Sequence, residues 1–207
     1  MTRLFSVKPG LTFKGRAFKG IRGWAGKPTH PPLTDFPVVC YILAAVFDVI
    51  SFAVHSGGSA ARDYAHDFFI AGTYVLISGA VVSLVTATTG FWDWWRGMDR
   101  EPTGPLGRAN HTQVWRTANT HMAIMLTVTA VVVVDMIVRL VQLHTHHATL
   151  GVMVLSIMAG LLVAVGATYG GSLVYDYQFN VESLEGSTAW DESEKDQLPS
   201  DKPPSAW

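Results

Sequence analysis

A chain of 207 residues with 49% hydrophobic and only 15% charged side chains, a formal net charge of −1 and a mean hydropathy of +0.25 has the length of one domain and the composition of a membrane protein. The charge is unevenly laid out: residues 1–30 hold seven Lys or Arg and no acid, while from Asp176 onward eight Asp or Glu stand against only Lys195 and Lys202. No basic patch interleaved with aromatics points to nucleic acid, and the single Cys40 rules out an intrachain disulfide or a thiolate metal site.

In chain order, residues 1–29 read as a basic tail too poor in apolar surface to fold alone, and without the apolar core of a secretory signal. The first hydrophobic run is therefore expected to be an uncleaved span. A bilayer core about 30 Å thick takes roughly 20 apolar helical residues at about 1.5 Å each. Four runs qualify: Phe36–Val54, Phe68–Thr89, Met122–Leu143 and Leu150–Tyr169. Backbone groups cannot go unpaired in lipid, and the short alternating segments of a β-barrel are missing, so each run is predicted to be a helix. The expected architecture is an all-α integral membrane protein with a four-helix transmembrane domain over residues 30–181 and an acidic tail over 182–207. Ordering of either tail would need a partner.

Small residues predict close helix approach in the second span (Gly72, Ser78, Gly79, Ala80, Ser83) and in the fourth (Gly160, Ala164, Gly166, Ala167, Gly170, Gly171). Seven Lys or Arg precede the first span, only Arg62 follows it, Arg96, Arg100, Arg108 and Arg116 fall between the second and third, and Arg139 alone lies near the third connection. The excess predicts cytoplasmic termini and a cytoplasmic second connection, with Trp92, Trp94, Trp95 and Trp115 as an interfacial belt on that side.

Eight histidines fall into two layers. His30, His111 and His121 belong to the cytoplasmic side, and His55, His66, His144, His146 and His147 to the outer side. Imidazoles on different helices at one depth are what a six-coordinate b-type haem requires, and His30 with His121 meets the depth condition. His30, beside Pro31-Pro32, can equally serve the helix start. Asp93 and Tyr175 are expected at the same end, and a bundle that closes over these groups brings His121 against at least one of them, directly or through a cofactor. His144, His146 and His147 form a candidate loop metal site, or a solvated connection. Asp135 and Arg139, four residues apart, predict a buried ion pair on one helix face. Asp48, with His55 seven residues on, is a further intramembrane polar group in need of a partner, since an unpaired carboxylate there costs roughly 2.5–3.5 kcal/mol. No nucleophile–base constellation or phosphate loop emerges, so no enzymatic activity is expected from this chain alone.

His30-Pro31 followed by Asp35-Phe36-Pro37, then Gly90-Phe91-Trp92-Asp93-Trp94, then His121, then Gly170-Gly171-Ser172-Leu173-Val174-Tyr175, in that order, resemble the prokaryotic membrane-protein family called domain of unknown function 2231. The resemblance covers roughly residues 29–181. It implies a four-helix membrane protein of a kind sometimes fused to a Rieske iron–sulfur domain. The chain has no Rieske pattern of Cys and His, so such a cluster would sit on another chain. The functional expectation is an accessory, mainly structural subunit of a respiratory or photosynthetic type electron-transfer complex in a prokaryotic cytoplasmic membrane, contacting lipids and other subunits, with its tails on neighbours. The alternative is a b-type haem or quinone-binding electron-transfer protein, with His30, His121 and Tyr175 as cofactor-binding residues. A small transporter or metal-handling protein comes third, since no internal repeat is visible in the sequence.

Overall fold

The computed structural model describes Ile21, residues 29–97 and residues 112–180; the two tails and most of the second connection, with His111, lie outside the described residues. The regular structure among them is helical: α1 (His30–Val54), α2 (Ser59–Gly97), α3 (Gln113–Val141) and α4 (Leu150–Tyr175), with one 3₁₀ turn at Leu143–Thr145. All four helices are long and apolar enough to cross a membrane.

The helices overrun the apolar runs, because run length records hydrocarbon thickness and not where a helix stops. α1 starts at His30, with proline in its first turn, where a missing N–H costs nothing. Pro37 inside the helix leaves the Leu33 carbonyl without its usual donor, and Thr86 Oγ1 on α2 reaches it at 3.3 Å with a hydroxyl that it shares with Val82 O at 3.1 Å. α2 has 39 residues, about 58 Å of helix and close to twice the hydrocarbon thickness. α3 starts after Thr112, whose hydroxyl accepts from Trp115 N at 3.1 Å, and α4 starts after Thr149, which accepts from Val152 N.

α1 packs against both α2 and α4, and α3 packs against α4, whereas α2 and α3 meet only sparsely. The core between them holds Cys40, Tyr41, Ala44, Leu76, Val128, Val132, Ala159 and Val163, with a smaller cluster of Phe69, Ala148 and Val152 towards the His55 end. Gly79 lets α2 lie directly on α1: a Cβ there would come within 2.7 Å of Cys40 Cβ. Gly72, Gly79, Gly160 and Gly166 are buried, as the close-approach reading requires, but Ser78, Ala164 and Ala167 are exposed. Large apolar side chains such as Leu84, Leu161 and Val141 point outward, while Asp48, Asp135 and Arg139 are fully buried. That inverted pattern suits a lipid surround, where the outer face gains nothing from polarity.

Candidate functional site

At the end of the bundle where α1 begins, His30 and His121 are held in the same way by different neighbours. His30 Nδ1 lies 3.0 Å from Thr86 O on α2, and His121 Nδ1 lies 2.8 Å from Gly166 O on α4. A carbonyl can only accept, so Nδ1 is protonated in both rings, and in the neutral imidazole Nε2 keeps its lone pair. Four residues beyond each carbonyl stands a glycine. A Cβ on Gly90 would sit 2.5 Å from His30 Cε1, and one on Gly170 would sit 3.1 Å from His121 Cε1. In a helix the side chain at n+4 shields the carbonyl at n, so glycine there uncovers the acceptor and lets the imidazole lie flat on the backbone. The spacings Thr86-x-x-x-Gly90 and Gly166-x-x-x-Gly170 are the sequence signal for this cradle. They read as ordinary packing motifs until the histidines are placed.

The local arrangement therefore occurs twice, once in the α1–α2 hairpin and once in α3–α4, although the sequence shows no overt repeat. The correspondence extends along the helices: Asp48 lies 18 residues after His30, and Arg139 lies 18 residues after His121.

Asp93 is buried on α2 one turn past Thr89 and Gly90, where its Oδ1 accepts from Ile21 N at 3.1 Å and its carbonyl accepts from Asn180 Nδ2 at 3.0 Å. It ties together the segments before α1 and after α4. Tyr175 does not join the histidines. It is 85% exposed, because it lies about 140° round α4 from Gly170, the residue against which His121 rests.

The second polar assembly lies deeper and draws on all four helices. Arg139 Nε donates to Asp135 Oδ1 at 3.0 Å within α3, and Nη1 donates to Asp48 Oδ1 at 3.0 Å across to α1. Nη2 donates to Asp48 Oδ2, to Asp135 Oδ2 at 3.2 Å and to Ser156 Oγ on α4 at 2.8 Å. Nη1 also reaches Thr73 Oγ1 on α2 at 3.4 Å. Two carboxylates thus grip one guanidinium by its two edges, the bidentate geometry to which arginine is suited. Asp48 finds its partner here, and not in His55.

At the His55 end the imidazoles meet in pairs. The His55 and His147 rings stack with centroids 4.6 Å apart, and His66 meets His146 edge-on at 5.1 Å. His55 Nδ1 bonds to Phe52 O, His144 Nδ1 to Val141 O at 3.1 Å, and His147 Nδ1 to Thr145 O at 2.7 Å. His144, His146 and His147 are not drawn together as metal ligands, and no group of three or more His, Cys, Asp or Glu able to hold a metal occurs among the described residues. Their ring nitrogens are turned to local carbonyls, and His146, in a left-handed conformation, faces α2 instead.

None of the curated proteins or solved structures compared with the chain matches it. The family model described as "Predicted membrane protein (DUF2231)" matches residues 26–183, a stretch that takes in all four helices. The chain belongs to this family of predicted membrane proteins.

Proposed function

We propose that this multi-pass membrane protein works in membrane electron transfer and that Nε2 of His30 and Nε2 of His121 ligate a b-type haem at the end of the bundle where α1 begins. The observation that carries the reading is the shared constraint on the two rings. Each Nδ1–H is bound to a main-chain carbonyl of a neighbouring helix, over a glycine, and each Nε2 is left as a lone-pair donor. A hydrogen bond from the non-ligating nitrogen is what fixes tautomer and ring orientation in metal-binding histidines. Neutral imidazoles from two non-adjacent helices are the donor set that a low-spin haem takes. A haem so held supplies one-electron transfer; the chain's own part is to fix the two rings and to keep them neutral donors.

The test is optical. Reduced-minus-oxidised difference spectra of the purified protein are expected to show the sharp α-band of a b-type haem, and His30→Ala and His121→Ala should each abolish it. A protein that purifies without colour after haem supplementation overturns the reading.

An accessory, mainly structural role in such a complex is favoured by a different observation: the intramembrane charges are turned on one another and tie the four helices together. On that reading the protein is colourless and co-purifies with a redox partner. The setting we propose for either role is a prokaryotic cytoplasmic membrane with both termini inside, as the Lys and Arg distribution predicts.

A further inference from the structure

The Arg139 cluster is short of hydrogen on two independent counts. The first is charge. Asp48 and Asp135 bring two carboxylates to one guanidinium, and among the described residues the other side chains bonded to the cluster, Thr73 on Arg139 and Ser156 on Arg139 and both acids, are neutral hydroxyls, so the assembly with both acids ionised carries −1 while fully buried between the four helices. An uncompensated charge in that setting is costly. The second count concerns the hydrogens themselves. Ser156 Oγ owns one, yet it stands within bonding distance of three acceptor oxygens: Val152 O at 2.8 Å, Asp135 Oδ2 at 3.3 Å and Asp48 Oδ2. Arg139 aims its N–H groups at the carboxylates, Thr73 and Ser156 Oγ, and the Thr73 hydroxyl donates to Phe69 O at 2.8 Å. Nothing else in the cluster supplies a hydrogen for the remaining oxygen–oxygen contacts.

We propose that Asp48 and Asp135 share one bound proton through Ser156 Oγ, which makes the cluster a proton-binding site within the membrane span. With the proton on Asp135 Oδ2, that oxygen donates a hydrogen bond to Ser156 Oγ, and the serine hydroxyl donates its own to Asp48 Oδ2 or to Val152 O. With the proton on Asp48 Oδ2, the direction reverses. The exchange breaks the O–H bonds of Asp135 and Ser156 and forms new ones at Ser156 and Asp48, and leaves the net charge at zero. Release of the proton takes the cluster to −1. The groups that face it are Asp48 from α1, Thr73 and Gly72 from α2, Asp135 and Arg139 from α3, and Ser156 from α4. Asp48 lies seven residues before His55, about 10 Å from that end of α1, so the site stands far from the His30–His121 pair and independent of any cofactor there.

Infrared spectroscopy of the purified full-length protein tests this. The native protein is expected to show the C=O stretch of a protonated carboxyl at neutral pH. Asp48→Asn and Asp135→Asn should each remove it, because either change leaves Arg139 matched by the one remaining carboxylate. Asp93→Asn should leave the band in place. Ser156→Ala should shift its frequency without removing it. No such band in the native protein, or a band that survives both cluster Asn variants, overturns the proposal. If the Asn variants fail to assemble, Ser156→Ala decides, and a band unmoved there also overturns it.

Discussion

Arg139 is the residue on which most of the buried polar structure depends. Its guanidinium bonds to side chains on α1, α2, α3 and α4 while fully buried, so its loss leaves the buried Asp48–Asp135 pair with no cation. Breaking a buried pair from one side typically costs about 3–5 kcal/mol, and Arg139→Gln is expected to fall in that range in thermal unfolding of the detergent-solubilised protein. Asp135→Asn should cost less, since Asp48 still holds the guanidinium through two bonds. In an Arg139→Gln background Asp135→Asn should be neutral or stabilising; equal destabilisation in both backgrounds would mean the two residues are not coupled. The four-residue spacing of Asp135 and Arg139 makes their contact legible within one helix. The part played by Asp48, Thr73 and Ser156 is not legible, because it requires knowing which faces of separate helices meet. In a soluble bundle the apolar stripe gives that away; here the lipid-facing side of each helix is as apolar as the inward side, and the pattern loses its direction.

At the scale of the helix, the run of apolar residues fixes number and rough position but not extent. α2 begins nine residues before its apolar run and ends eight after it, and these overhangs carry His66 and Asp93. The start of α1 shows how a sequence that discourages helix is accommodated: Pro37 frees the Leu33 carbonyl, and a hydroxyl from the adjacent helix takes it. Thr86→Val is expected to leave that carbonyl without a donor and to lower stability by about 1–3 kcal/mol. Thr88→Val, on the exposed side of the same helix where the hydroxyl bonds only to Leu84 O, should change the melting temperature little. Equal effects from the two would show that the α1–α2 bond is immaterial. The His30 and His121 cradles show the same limit on legibility. The histidines and glycines are all visible in the sequence, but the pairing of His30 with Gly90 and of His121 with Gly170 is set by hairpin packing.

For the molecule as a whole, the orientation proposed from charge outside the spans can be read in intact cells. A cysteine at Gly58, where an added side chain meets nothing within 4 Å, is expected to react with an impermeant thiol reagent from outside, in a background where the buried Cys40 is replaced. One at Gly104, in the second connection, should stay unlabelled until the membrane is opened. The reverse labelling would invert the topology.

The equal spacing of Asp48 from His30 and of Arg139 from His121 also bears on how the two halves recognise each other. A first hairpin that paired with a second copy of itself would bring two Asp48 carboxylates into the interior with no cation, whereas pairing it with the second hairpin brings the guanidinium to its one Asp48. The fold behaves in this respect like a heterodimer written on one chain, in which the unmatched Asp48 disfavours pairing of the first hairpin with its own copy, while Asp135 already balances Arg139 within the second. Two differently tagged hairpins, produced as separate chains divided in the second connection, are expected to co-purify as a one-to-one pair. Arg139→Gln in the second should abolish that recovery, and retention of the pair in the variant would mean that apolar packing alone selects the partner.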